Sequence, residues 1–450
     1  MKVEALKNKK IAILWFWKEG QSTLKFLTEQ GIDDITILDS KIICLEDAKV
    51  PHIVWDTYLD TLWDFDIIIK TPGISPFHDK ILPYRDRIIS QAHIFFSEYT
   101  GRVIWITWTK GKSTISTLLY TCLSEAGYDV KLVWNIWNPV LDEVDIRTWK
   151  AHDFIVYELS SYMLQDFSPK LYMWILNNVY PCHLDWHFDS FTIYKEAKIN
   201  ILKNAEIKVI NGELHDDSEI RSIKEGKVFF SEFWEYLYDE RWFFIGQEYV
   251  YTWDVGLQWE HNKKNTSWVI AVLHSLLQDS VKVHNILMTV LPNFNWLPNR
   301  IENIWTYEWI VFINDAIATT PESTIAAIDT FSDSLQTLFL WWEDSGFSFE
   351  VLREKILHSH IQNIVAFPDT SIKIFPEIDV RDYEIPFEVE IEGKSIQVIK
   401  TRSMKSGVDF AYKTTFPGRI ALLSCAAPSF SLWSSYIDKA LEFKKEVREY

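Results

Sequence analysis

The chain has 450 residues, of which 48% are hydrophobic and 24% charged, with a formal net charge of −18. That length suffices for about two to three domains with cores of their own, while the acidity argues against a nucleic-acid partner, which needs a basic face. No apolar run approaches the ~20 residues of a membrane helix, the charged first ten residues lack the apolar stretch of a secretory signal, and four scattered cysteines (Cys44, Cys122, Cys182, Cys425) without C-x-x-C pairing predict no disulfide framework or zinc site and fit a reducing cytoplasm.

In chain order, short apolar runs alternate with helical patterns. Ile11–Leu14, Ile35–Leu38 and Asp66–Ile69 read as strands and Gln21–Gln30 as a helix, giving a small βαβ domain over residues 1–98. A second unit, 99–297, opens with a strand at Val103, then a helix over Ser113–Ala126, strands at Phe154–Tyr157 and Trp174–Asn177, and a helix over Phe191–Ala205. Its aromatic stretch Phe229–Tyr251 reads as strands and Asn262–Leu277 as a helix. A third unit, 298–450, has strands at Ile310–Ile313, Thr337–Leu340 and Ile420–Ser424 and a closing helix over Tyr436–Val447. The fold class expected is α/β throughout: a Rossmann-like first domain, a central P-loop domain with a parallel sheet, and a Rossmann-like third domain.

Two loops carry the chemistry. Val103–Thr114 runs strand, loop, helix and ends Thr107-Trp-Thr-Lys-Gly-Lys-Ser-Thr114, a P-loop ending in which Lys112 would reach terminal phosphates and the Ser113 hydroxyl a Mg²⁺ ion. Trp108 stands where the loop's first glycine belongs, although the backbone N–H groups of such a loop must close on phosphate. In Ile11-Ala-Ile-Leu-Trp-Phe-Trp-Lys-Glu-Gly20, glycine at Trp15 and Trp17 would complete G-x-G-x-x-G after a strand. Composition agrees: average usage of ~7% predicts roughly 31 glycines, and the chain has 14 glycines and 22 tryptophans, together 36 residues or 8%. Some genetic codes read UGA as glycine and others as tryptophan, and we expect most of these tryptophans to stand for glycine. The alternative is a truly tryptophan-rich chain.

Other candidates have two readings each. Glu158 follows a buried strand and suits a second metal, or is a plain loop residue; the same holds for His183, after the next strand. Lys198 lies on a helix where most lysines are solvated. Asn262 caps its helix or touches a nucleotide. Arg300 and Glu302 make an interdomain ion pair or belong to a site, and Asp315 holds a ribose or caps Ala316-Ile317.

Taken together and in order, these motifs resemble the Mur ligase family over nearly the whole chain. The markers include Thr71-Pro-Gly-Ile-Ser75, the P-loop, Asn135-Ile-Trp137, Glu158-Leu-Ser-Ser161, His183-Leu-Asp185, Lys198, His261-Asn262, Arg300-Ile-Glu302, Asn314-Asp315 and Ser424-Cys-Ala-Ala-Pro-Ser-Phe430. The resemblance implies an ATP-dependent ligase that phosphorylates a carboxylate to an acyl phosphate and lets an amine attack it, with Mg²⁺ neutralising phosphate oxygens. It implies ATP contacts at Thr109, Lys110, Gly111, Lys112, Ser113, Thr114, Asn262, Arg300 and Asp315. Catalytic roles fall to Lys112, Glu158, His183 and Lys198, the last as a carbamate, and metal ligation to Ser113, Glu158 and His183. Trp15, Trp17, Asp39 and Thr71 would contact a UDP group, Asn135 and Ser161 the muramoyl end, and Thr319, Ser424 and Phe430 the incoming amino acid. The first-domain loop and the Ser-Phe segment favour the branch joining D-glutamate to UDP-N-acetylmuramoyl-L-alanine, as a cytoplasmic monomer. A sister ligase adding another amino acid is the runner-up, and a catalytically dead UDP-precursor-binding protein is the reading if the tryptophans are genuine. Cys182 departs from the family's usual Asp, and Ile317 and Ser345 from positions where some relatives carry Lys. Trp186 and Trp433 stand where relatives tolerate tryptophan.

Overall fold

The computed structural model describes the chain except residues 41–49, 55–56, 72–73, 76, 108–111, 134–138, 146–147, 159–166, 168, 177–178, 180–189, 203, 224–225, 231–235, 239–241, 246–247, 253–259, 295–297, 341–348, 368–373, 379–381, 428–431 and 434. It divides into two compact units, Met1–Phe294 and Asn295–Tyr450.

The first unit opens with strand β1 (Ile11–Leu14), helix α1 (Lys18–Glu29), and strands β2 (Ile35–Asp39), β3 (His52–Val54), β4 (Ile67–Lys70) and β5 (Ile88–Ile89). They form a parallel sheet in the order β3-β2-β1-β4-β5. β1, β2 and β4 are buried along their whole length, which explains their unbroken apolar runs. Helix α2 (Gln91–Glu98) leads to β6 (Val103–Thr107), helix α3 (Lys112–Glu125), β7 (Val130–Val133), β8 (Phe154–Glu158), β9 (Leu171–Leu176), helix α4 (Phe191–Leu202), β10 (Ala205–Asn211) and β11 (Lys227–Phe230). This second parallel sheet is ordered β11-β10-β9-β6-β8-β7. Strands β12 (Tyr236–Tyr238), β13 (Trp242–Ile245) and β14 (Glu248–Thr252) make an antiparallel meander from the aromatic stretch, and helix α5 (Glu260–Leu277) follows. One cluster of buried side chains runs from Ile11 and Phe95 through Trp105 to Leu202, so both parallel sheets share a core.

The second unit holds β15 (Glu302–Tyr307), β16 (Ile310–Asn314), helix α6 (Pro321–Phe331), β17 (Leu335–Leu340), β18 (Asn363–Ala366), β19 (Phe387–Ile391), β20 (Lys394–Lys400), β21 (Ile420–Leu423) and helix α7 (Tyr436–Glu449). Its sheet is ordered β15-β16-β21-β17-β18-β20-β19. The inner strands are parallel, and an antiparallel hairpin closes each edge. Of the four hairpin strands, sequence predicted only β16, as Ile310–Ile313; β15, β19 and β20 lie outside the expected set.

Candidate active site

In the first sheet β1 is flanked by β2 on one side and by β4, which the chain reaches after β3, on the other; it is beyond the carboxyl ends of strands at such a reversal that open α/β sheets form their binding crevice. Four sequence-predicted residues meet there. The Trp15 N–H donates to Leu38 O at 2.8 Å. The buried Asp39 carboxylate accepts the Phe16 N–H at 2.8 Å, and the Thr71 hydroxyl reaches the carbonyls of Leu14 and Trp15, each at 3.3 Å. Trp17 is the N-cap residue of α1 and 63% exposed, with no side-chain capping bond. Gly20 keeps the third glycine position for a visible reason: a Cβ there would lie 2.8 Å from Trp15 O.

Sequence reasoning missed Glu19 and Lys70 in this crevice. Glu19 is half-buried, and its Oε1, shielded from solvent, has no hydrogen-bond partner among the described residues. Burial pushes its pKa up to about 8, against the opposing pull of the Lys70 charge. The Lys70 ammonium donates to the carbonyls of Thr71 at 3.1 Å and Ile74 at 2.8 Å. The only sequence signal for Glu19 was its place beside Gly20 in the loop.

The second sheet reverses at β6, whose neighbours are β8 and β9. Lys112, Ser113 and Thr114 begin α3 immediately after the P-loop. Glu158 ends β8 and is buried, in register with Ile106 of β6. Its carboxylate therefore belongs to the strand next to the one that feeds the phosphate loop. The Ser113 hydroxyl and this carboxylate are oxygen donors of the kind Mg²⁺ takes, although no cluster of three or more His, Cys, Asp or Glu occurs among the described residues. Lys198 is 1% exposed on α4, its Nζ 4.8 Å from the centroid of the Tyr194 ring. The solvated-lysine reading is thereby excluded. Asn262 lies inside the first turn of α5, which begins at Glu260, so it is not the helix cap. Thr109, Lys110, Gly111, Asn135, Ser161 and His183 lie outside the described residues, as do Phe430 and Ser345 of the second unit.

Within the second unit, Asp315 follows β16 and is fully buried. Its carboxylate accepts the Ser424 hydroxyl at 3.0 Å and the Ile301 N–H at 3.3 Å. The Ser424 hydroxyl also lies 3.1 Å from Thr324 Oγ1. Burial raises the Asp315 pKa to about 7, with Arg300, the two hydrogen bonds and Lys439 pulling the other way. Asp315 does not cap the following turn; Asn314 does, its Oδ1 accepting the Ala316 N–H at 3.1 Å. Glu302 pairs with Lys444 at 2.8 Å rather than across domains. Arg300 is flanked by Asn299 and Ile301, both left-handed (φ 66° and 47°), and its Nε is buried without a partner among the described residues. Ala426, just beyond Ser424, is left-handed too (φ 59°). Backbone strain thus gathers on the two loops that frame Asp315, as is common at binding sites. Thr319 is half-buried, one residue before Thr320, whose hydroxyl caps α6. The buried Lys439 of α7 and Thr324 complete the cluster, and neither was visible in the sequence.

A phosphate-loop helix, an acidic strand end beside it and three α/β sheets define a P-loop nucleotide-using enzyme. Residues 106–289 match the model of the Mur ligase middle domain. The chain is 27% identical to UDP-N-acetylmuramoylalanine--D-glutamate ligase of Clostridium tetani, over 98% of this chain and 97% of the relative. It is also 27% identical to UDP-N-acetylmuramoyl-L-alanine--L-glutamate ligase of Xanthomonas euvesicatoria, over 98% and 96%. Among solved structures, the UDP-N-acetylmuramate-alanine ligase of Thermotoga maritima shares the fold, with a TM-score of 0.59 at 16% identity, covering 98% of this chain and all of that one. Residues 106–289 thus carry a Mur ligase middle domain, and the chain is an ATP-dependent, amide-bond-forming ligase.

Proposed function

We propose that the protein joins D-glutamate to the carboxylate of UDP-N-acetylmuramoyl-L-alanine. The observation that carries the reaction class is the pairing of β6 with β8, which sets the Glu158 carboxylate beside the strand that feeds Lys112 and Ser113. End-to-end likeness to the Clostridium relative supports the amino acid and the nucleotide sugar. Lys112 would bind the terminal phosphates of ATP, and Ser113 and Glu158, with His183, would hold a Mg²⁺ ion, whose charge would offset that of the phosphate oxygens. The phosphoryl group passes to the substrate carboxylate, and the amine of the amino acid displaces phosphate from the acyl phosphate. Trp15, Trp17, Asp39 and Thr71 form the crevice for the UDP group. Asn135 and Ser161 hold the muramoyl end, Asn262, Arg300 and Asp315 contact ATP, and Thr319, Ser424 and Phe430 frame the amino acid. The burial of Lys198 supports its carbamate role, because a side chain withdrawn from water on this helix has no use as a solvated cation. The reaction belongs to the cytoplasm, and the enzyme acts as a monomer.

L-glutamate is the one competing co-substrate, since a relative of equal identity is named for it. Phosphate release from ATP decides between them. In the glycine-restored protein it requires UDP-N-acetylmuramoyl-L-alanine and D-glutamate together, and equal release with L-glutamate overturns the assignment. Lys198→Ala loses most activity; full activity in that variant removes the carbamate role.

A further inference from the structure

The backbone sorts the tryptophans. Trp15, Trp149 and Trp309 have left-handed φ angles of 69°, 49° and 68°. A side chain with a Cβ pays roughly 1–2 kcal/mol there, and tryptophan lacks the short polar group with which Asn or Asp offsets that cost. Trp309 states the case most sharply. It is the second residue of the two-residue turn Glu308-Trp309 between β15 and β16, and both turn residues are left-handed (Glu308 φ 45°). Such hairpin turns strongly prefer glycine at that position. The opposite edge of the same sheet closes through Glu392-Gly393, with φ 52° and 81°. The chain thus makes the same turn twice, once with Glu-Gly and once with Glu-Trp, and the Trp309 indole, 79% exposed, packs on too little to justify it. Trp15 repeats the pattern at the tight turn after β1, the first-glycine position of a dinucleotide loop.

Interior positions give a second, independent signature. Trp105 and Trp174 sit opposite one another on β6 and β9, ring centroids 5.0 Å apart. Both indole N–H groups are buried without a partner among the described residues. Buried tryptophans ordinarily place that N–H on an acceptor. Trp433 does so: its Nε1 donates to the Glu442 carboxylate, and its ring meets Phe367 edge-on at 5.5 Å.

We propose that Trp15, Trp105, Trp149, Trp174 and Trp309 are glycine in the protein its own cell makes, each encoded by UGA read as glycine, and that Trp433 is a true tryptophan encoded by UGG. The assignment stands on backbone angles and indole partners and does not depend on the ligase reading. Peptide mass mapping of the protein purified from its native host, beside the codons of its gene, tests it. Glycine masses at the five positions with tryptophan at 433 are expected; tryptophan at 309 or 15 in the native protein overturns it. A second measurement uses the chain as written. Trp309→Gly raises the thermal midpoint of the second unit by about 2–4 °C, whereas Trp433→Gly lowers it. A fall in both variants overturns the sorting.

Discussion

Two carboxyls with oxygens withdrawn from water, that of the half-buried Glu19 in the first unit and that of the buried Asp315 in the second, face the same physical problem and are treated differently. Both are withdrawn from water, and in both burial raises the pKa, to about 8 and about 7. Asp315 receives two donors, the Ser424 hydroxyl and the Ile301 N–H, and the charges of Arg300 and Lys439. Glu19 has the Lys70 charge alone and an oxygen with no partner among the described residues. A buried carboxylate is tolerated where hydrogen bonds and cations compensate its desolvation, and a poorly supplied one stays protonated. Asp315 is therefore poised near neutrality as an anion that organises two loops, and Glu19 rests at neutral pH as a neutral acid.

The largest expected effect comes from removing the supplied member. Asp315→Ala leaves the buried Lys439 and the half-buried Arg300 without their anion, and should destabilise the second unit by about 3–5 kcal/mol, read as a fall in the urea midpoint. A loss below ~1 kcal/mol would break the comparison. Ser424→Ala removes one donor and should cost about 1 kcal/mol while moving the Asp315 titration upward, measurable by carboxyl NMR. The smallest effect is expected for Glu19→Gln, which imitates the neutral acid: a change within ~0.5 kcal/mol at pH 4.

pH sharpens the contrast further. Each group has a folded-state pKa above its unfolded value, so its contribution to stability is complete below about pH 4 and is lost as pH rises through 7 for Asp315 and 8 for Glu19. Glu19→Gln should abolish the decline that Glu19 contributes to the first unit between about pH 4 and pH 8. An unchanged decline in the variant would mean that Glu19 is already ionised at neutral pH.

Much of the fold is legible in the residues. β1, β2 and β4 are buried along their whole length, so their unbroken apolar runs name them, and the Lys112-Ser113 start of α3 is written in the P-loop ending. The Phe387–Lys400 hairpin carries a legible signal, apolar and charged residues alternating about Glu392-Gly393, yet stands outside the sequence-based strands because its charges resemble a solvated loop. The Asp315 cluster is legible only in part. Arg300, Asp315 and Ser424 carry the family's motif, but Thr324 and Lys439 join them through helices that approach from distant positions in the chain. Glu19 was illegible for another reason: nothing in a helical Lys-Glu-Gly reveals which way the carboxyl turns.

The left-handed backbone at Trp15 reaches beyond the folded molecule. With that residue encoded as proposed above, a cell that treats UGA as a stop ends translation after Leu14, with β1 made and nothing for it to pair with. The stereochemical demand of one turn thus confines the gene to hosts that share its code, and any attempt to produce the enzyme elsewhere begins with respelling that turn.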